Sequence, residues 1–208
     1  MNLIELAEKH YAQGDVTKKP PRYFSAYEVA FGPLRHEPIS ILELGVHNGG
    51  SLRVFREYFT KARIIGLDIQ DRPRGFPNNA DFVKGSQADS GTLAKICEMG
   101  APFDIIIDDA AHIGRLAKAS YEYLYHDHLK PGGIYVLEDC TPSLTRDNWP
   151  DSHPYTPPVD EGNMLPSFQH GMPGLVKQIM DQMMLKGSPY RMDQHRSVAI
   201  LYKPPAKP

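Results

Sequence analysis

The stretch Ile41-Leu42-Glu43-Leu44-Gly45-Val46-His47-Asn48-Gly49-Gly50-Ser51 decides the fold. An apolar strand ends in a carboxylate and breaks into a glycine turn that opens a helix, which is a cradle for a nucleoside-bearing cofactor. A second apolar strand, Ile64-Ile65-Gly66-Leu67-Asp68, follows and also ends in an acid. Asp68 lies where an acidic residue, ~20 positions on, holds a ribose in dinucleotide-binding folds. The glycines do not fit G-x-G-x-x-G; they read Gly45-x-x-x-Gly49-Gly50, with Glu43 two positions ahead. A dinucleotide needs backbone amides packed on a pyrophosphate, whereas S-adenosylmethionine carries a sulfonium, an ammonium and no phosphate, so nearby carboxylates suit it better. The turn is therefore read as an S-adenosylmethionine site and not a nicotinamide site.

Outward from this turn, the apolar periodicity predicts strand 40–46, helix 50–59, strand 63–68, strand 81–84, helix 90–99, strand 103–108, helix 115–128 and strand 133–138. Nearly all-apolar strands alternating with helices make a mainly parallel sheet covered on both faces. Pro131-Gly132-Gly133 reads as a turn at the bottom of the sheet, leaving Glu138 at its top, where the sites of such sheets lie. Two helices are expected ahead of the first strand, one over Asn2 to Gln13 with Leu3, Leu6, Ala7 and Tyr11 on its stripe, the other over Tyr23 to Phe31. Met172, Leu175, Val176, Ile179, Met180 and Met183 keep helical spacing and read as core packing. Tyr190 to Met192 and Ser197 to Tyr202 are expected to form an antiparallel pair that completes the sheet.

The fold class is thus α/β, a single Rossmann-like domain with a mainly parallel seven-stranded sheet, helices on both faces and an antiparallel C-terminal strand. Residues 1–35 are expected to form a helical cap within that domain, 36–203 its cofactor-binding body and 204–208 a loose tail. Thr141 to Pro166 holds six prolines, the lone Trp149 and Tyr155 without periodicity. A loop this long, directly after strand-end acids, is read as a lid over 141–166.

The 208 residues carry a formal charge of −2 with both signs scattered. No basic face offers an electrostatic footprint for nucleic acid. The short run Lys18-Lys19-Pro20-Pro21-Arg22 reads as a solvated loop. No apolar stretch approaches the ~20 residues of a membrane span, and the N-terminus alternates charged with apolar residues instead of forming a signal-peptide core. A cytoplasmic protein is expected, without membrane or nucleic-acid partners and with a homo-oligomer left open. Cys97 and Cys140 lack metal-type spacing and are expected to be free thiols.

Ile105-Ile106-Ile107-Asp108-Asp109-Ala110-Ala111-His112 puts two acids and a histidine at one strand end, and Tyr135-Val136-Leu137-Glu138-Asp139 puts two more acids at the next. On neighbouring strands, about 4.8 Å apart, these carboxylates crowd beside the cofactor turn and call for a compensating cation. Successive strand residues point to opposite faces, which gives Asp108 to the cofactor side and Asp109 to a metal. Asp109, Glu138 and Asp139 then supply hard oxygen ligands for Mg²⁺ or Mn²⁺. His112 is the candidate general base, since an imidazole can take a proton from a hydroxyl, and Asp109 is the rival for that role.

In this order the motifs resemble the metal-dependent sugar O-methyltransferases of antibiotic biosynthesis, of the mycinamicin, tylosin and rhamnosyl-modifying type. The resemblance rests on Tyr23-x-x-x-Tyr27-x-x-x-Phe31-Gly32-Pro33-Leu34-Arg35, the glycine turn with Ser51-Leu52-Arg53, Ile65-Gly66-Leu67-Asp68, Gly85-Ser86-Gln87 and the two acidic motifs. It implies a class I methyltransferase fold in which Glu43, Gly45, Ser51, Asp68, Ser86, Gln87 and Asp108 line the S-adenosylmethionine site. It also implies that Asp109, Glu138 and Asp139 hold Mg²⁺ and that His112 is the base. The family often has Asp-Asp-Gly-Ser-His where this chain has Asp108-Asp109-Ala110-Ala111-His112, which leaves every ligand in place. The segment Cys140 to Trp149 is longer than, and different from, the family's Thr-Ser-Tyr-Trp-like loop, and the additional N-terminal domain of some relatives is not expected.

The function expected is Mg²⁺-dependent methyl transfer from S-adenosylmethionine to a hydroxyl of a small-molecule acceptor, a sugar or glycosylated natural product. Three alternatives remain open: a catechol-type O-methyltransferase with a flat aromatic acceptor, a non-catalytic S-adenosylmethionine-binding module, and a metal-dependent hydrolase or hydroxylase. The last lacks a clear set of histidine ligands.

Overall fold

In the computed structural model, residues 1–12, 19–153 and 169–206 are described. The strands are Ser40–Leu44 (β1), Arg63–Asp68 (β2), Asp81–Lys84 (β3), Phe103–Asp108 (β4), Leu129–Leu137 (β5), Arg191–Gln194 (β6) and Ala199–Tyr202 (β7). The helices are Leu3–Ala12 (α1), Pro21–Phe31 (α2), Gly50–Tyr58 (α3), Ser90–Gly100 (α4), Gly114–Asp127 (α5), Pro142–Thr145 (α6) and Gly171–Lys186 (α7). One sheet carries all seven strands in the order β3-β2-β1-β4-β5-β7-β6. The first five in that order run parallel, and β7 pairs antiparallel with both β5 and β6. This is the mainly parallel sheet with an antiparallel C-terminal strand that the periodicity predicted.

Alternation along the strands builds two cores. Ile41, Ile105, Ile107, Ile134 and Val136 face α1, α2 and α3. Leu42, Leu44, Ile106, Tyr135 and Leu137 face α4, α5 and α7. Glu43 shares a face with Ile41, so an acid inside β1 points toward α2, while Asp108 falls on the opposite face with Ile106.

Several local expectations are corrected. In α1 the buried stripe is Leu3, Leu6, Ala7 and His10, and Tyr11 is exposed. The His10 imidazole reaches Glu57 at 3.1 Å, whereas the Tyr11 hydroxyl donates to the Lys19 carbonyl at 3.0 Å. Pro131-Gly132-Gly133 lies inside β5, not before it; Gly132 has φ +76° and the register with β4 shifts there, so the turn signal marks a bulge. Of the methionine stripe, Met172, Leu175, Val176 and Ile179 are buried, but Met180 and Met183 are only partly so. The expected lid contains the short α6 and is followed as far as His153; its remainder, 154–166, lies outside the described residues.

Candidate active site

The chain leaves β1, β2, β4 and β5 at the same edge, and the hydrogen-bond ladder continues one step beyond the strands. Gly45 N donates to Leu67 O (2.8 Å), Asp109 N to Leu44 O (2.9 Å) and Glu138 N to Asp108 O (2.9 Å). These bonds fix the strand-end residues in register. Gly45 has φ +84°, and a Cβ there would stand 2.3 Å from Asp109 O and 2.4 Å from Ala110 Cα. Only glycine allows the cofactor turn to lie so close on the β4–α5 loop.

A cavity of about 370 Å³ opens at this edge, walled by Gly45, His47, Ser51, Asp68, Asp109, His112, Glu138 and Asp139 among others. A second, of about 160 Å³, adjoins it and is lined by Gly85, Ser86, Gln87 and Ala111, with Gly45, Asp68, Ile69 and Ala110 shared between the two. Among the described residues, three that are not glycine have left-handed backbone, His47, His112 and Asp139, and all three line the larger cavity. Such conformations cost about 1 to 3 kcal/mol each and gather at working sites.

On the cofactor side, the Asp68 carboxylate accepts from His47 N (2.8 Å) and Gln70 N (2.9 Å), which shapes the rim shared by both cavities. Gln87 joins the smaller cavity to the core. Its Oε1 accepts from Ala111 N at 2.9 Å and its Nε2 donates to Asp108 at 3.0 Å. Asp108 also accepts from Ser120 at 2.6 Å, and burial pushes its carboxyl up to about 6 against those hydrogen bonds. Glu43 is fully buried and accepts from the Ser51 hydroxyl at 2.7 Å. Of the residues expected to touch the cofactor, Gly45, Ser51, Asp68, Ser86 and Gln87 reach a cavity wall, while Glu43 and Asp108 stand one layer behind it.

The three acids expected to bind metal fall into two clusters that share Asp109. Glu43, Asp109 and Glu138 bring oxygens within 4.8 Å of one another, as do the ligand atoms of Asp109, His112 and Asp139. Both strand-end acids meet α2: Glu138 accepts from Tyr27 at 2.5 Å, and Asp139, whose φ is +49°, accepts from Tyr23 at 2.6 Å. The His112 Nε2 lies 3.8 Å from Asp109 and 3.6 Å from Asp139, and its Nδ1 is buried without a hydrogen-bond partner.

Lys19 overturns its expected place in a solvated loop. It is 5 % exposed, and its ammonium enters the first cluster, bonded to Asp109, to Glu138 at 2.5 Å and to Glu43 at 3.2 Å. Burial opposes its charge, but the three carboxylates more than offset this and hold the amine well above its usual range. Glu138 is raised well above the usual carboxyl range, by burial first and by Asp109 second. The basic run gave no sign of this, because Asp109 and Glu138 lie 90 and 119 residues further along the chain.

The start of the expected lid packs against the His112 turn. Trp149 Nε1 donates to the His112 carbonyl at 2.9 Å, and Arg146 lies over the indole ring at 5.3 Å. Asp151 accepts from Gly114 N at 2.7 Å and so caps α5 directly after the His112 turn.

The sheet order and the strand-end cavity define a Rossmann-like fold of the class I methyltransferase kind. No family model matches the sequence. Over 120 residues the chain is 37% identical to demethylmacrocin O-methyltransferase of Streptomyces fradiae, a match covering 54% of this chain and 30% of that protein. It is 33% identical over 143 residues to mycinamicin VI 2''-O-methyltransferase of Micromonospora griseorubida, covering 60% and 36%. The structure of the MycE methyltransferase from the mycinamycin biosynthetic pathway, in complex with Mg, SAH and mycinamycin VI, superposes with a TM-score of 0.77 at 26% identity, over 99% of this chain and 55% of that one. The chain therefore spans about a third of the length of these curated relatives. Sequence and structure alike bear out the resemblance to sugar O-methyltransferases of antibiotic biosynthesis.

Proposed function

We propose that this chain transfers the methyl group of S-adenosylmethionine to a hydroxyl of a glycosylated natural product, with Mg²⁺ or Mn²⁺ bound. The observation that carries the reading is the meeting, in one cavity, of the Gly45–Asp68 cradle with the acids Asp109, Glu138 and Asp139 and the imidazole of His112. In the solved MycE complex a similar fold binds Mg, SAH and mycinamycin VI. The donor set here suits a hard dication: carboxylate oxygens of Glu43 and Glu138 on one side and of Asp139 on the other converge on Asp109, and Glu138 Oε2 is buried without a hydrogen-bond partner.

Asp68 and the backbone at Gly45 would hold the ribose and amino-acid parts of the cofactor, and the smaller cavity beside Ser86 and Gln87 its base. Asp109, Glu138 and Asp139 would hold the metal, which when bound polarises the acceptor oxygen. That oxygen attacks the methyl carbon as the carbon–sulfur bond breaks, neutral S-adenosylhomocysteine leaves, and His112 Nε2 takes the hydroxyl proton. The imidazole stands at the cavity wall, within 4 Å of two acids.

No helix among the described residues is long and apolar enough to cross a membrane, and Cys97 and Cys140 are free thiols. We take the working compartment to be the cytoplasm. The test is a panel of sugar-bearing acceptors and catechols incubated with S-adenosylmethionine and Mg²⁺. Methylation of glycosides is expected; methylation of catechols alone assigns the chain to the catechol-type chemistry instead, and binding of NAD without S-adenosylhomocysteine removes the cofactor assignment.

A further inference from the structure

Three carboxylates meeting one ammonium in a buried pit leave two negative charges when all are ionised, so an ammonium is an incomplete match for the site. The Lys19 ammonium engages Asp109 and Glu138, two of the acids read as metal ligands, and does so from a flexible four-carbon stem. Its backbone is pinned independently of the pit: the Lys19 carbonyl accepts from Tyr11, and Pro20 begins the approach to α2. The side chain can therefore leave while the main chain stays. A dication bound by the same carboxylate oxygens would stand within a few ångströms of the ammonium, and the two like charges exclude each other. A lysine buried among acids that face a cavity is thus placed to alternate with the metal, not to accompany it.

We propose that Lys19 is a built-in competitor for the divalent cation, filling the Glu43–Asp109–Glu138 pit in the metal-free protein and swinging out when the metal binds. This rests on the metal reading above and adds a second state to the site. In the metal-free state Lys19 satisfies acids that would otherwise repel one another across β1, β4 and β5. On loading, the measured metal affinity is reduced by the fraction of molecules in which the lysine occupies the pit.

The experiment compares the wild-type chain with Lys19→Met, which keeps an unbranched side chain one atom shorter and removes its charge. Mn²⁺ binding is read from the loss of the free-ion electron paramagnetic resonance signal, and Lys19 accessibility from acetylation by an amine-reactive ester followed by peptide mass spectrometry. Lys19 is expected to be protected without metal and to become labelled at saturating Mn²⁺, while Lys19→Met binds Mn²⁺ at least tenfold more tightly. The labelling arm uses the wild-type protein and decides the question even if the variant does not fold. Labelling of Lys19 without metal, continued protection at saturating Mn²⁺, or unchanged or weaker Mn²⁺ binding by a folded Lys19→Met overturns the proposal and leaves the metal reading standing. Absence of Mn²⁺ binding in both proteins overturns the metal reading and the proposal together.

Discussion

The indole of Trp149 lies over the imidazole of His112, centroids 6.3 Å apart and planes inclined by 28°, and its N–H is bonded to the His112 carbonyl. His112 has φ +52°, a conformation its surroundings must hold in place, and Trp149 is one of the groups that hold it. The segment after β5 thus holds the candidate base through Trp149.

His112→Ala is expected to lose about 10²- to 10⁴-fold in turnover, the range for a positioned general base, while still binding S-adenosylhomocysteine and Mn²⁺. Trp149→Phe keeps a ring over the imidazole and loses the donor, so a fall of about tenfold in kcat follows from one lost hydrogen bond, with KM for the acceptor little changed. Steady-state kinetics with one glycoside acceptor checks both. Near-native turnover in His112→Ala with an unchanged pH profile hands the proton to Asp109.

Asp68 accepts from His47 N in the cofactor turn and from Gln70 N in its own loop while facing the cavity. Asp68→Ala is expected to weaken S-adenosylhomocysteine by about 1 to 3 kcal/mol through lost hydrogen bonds, as read by calorimetry. Gly45→Ala puts a methyl group into Asp109 O and adds a positive-φ penalty. A loss of at least about 2 kcal/mol in folding stability follows from overpacking and backbone strain, seen as a lowered denaturant midpoint.

The strand ends were legible because each carries its own local signature: an apolar run, then an acid, then a glycine or a turn. Gly45, Asp68, Asp109, His112, Glu138 and Asp139 could therefore be named from the sequence, and all of them line the larger cavity. The placing of Glu43 and Asp108 behind the wall was half legible, since period-2 alternation separates Asp108 from Asp109 but does not say which side chains meet them. Lys19, Tyr23 and Tyr27 were not legible as site residues. They arrive from the cap preceding β1, and only tertiary packing of α2 over the sheet brings them to acids some hundred residues away. The Pro131-Gly132-Gly133 signal reads as a turn ahead of the strand but marks a bulge within it, because a bulge and a turn use the same residues.

At the far edge of the sheet, Asp193 accepts from Arg191 at 2.8 Å and from Tyr202 at 2.9 Å. Partial burial pushes its carboxyl up, but the Arg191 and Tyr202 hydrogen bonds more than offset this and hold it below the usual range. A depressed carboxyl releases its proton more readily when folded, so its stabilisation is present above the unfolded value and is lost as pH falls through the folded one. The gap in melting temperature between the wild type and Asp193→Asn should be widest near neutral pH and close under acid. A constant gap across that range removes the charge from the account.

Asp109 belongs to both acidic clusters, and this sets an order among the acids that metal titration can test. Asp109→Asn withdraws charge from the pit shared with Glu43 and Glu138 and from the cluster with His112 and Asp139, so it should abolish the metal response of turnover. Glu138→Gln removes charge from the buried pit alone, and Asp139→Asn from the outer cluster alone, where Tyr23 still holds the side chain. Each single-cluster change should weaken Mn²⁺ binding by more than the roughly 10- to 100-fold that groups outside a metal's own ligand set cost, and Asp109→Asn by more than either. Cofactor binding should survive all three, because the residues proposed to hold the cofactor, Asp68, Ser86 and Gln87, are left unchanged. Protein stripped with EDTA should lose turnover and regain it with Mg²⁺ or Mn²⁺ but not with Na⁺. Full turnover in stripped protein with no residual metal would show that the acids serve Lys19 and the fold, and that the reaction runs on His112 and positioning alone.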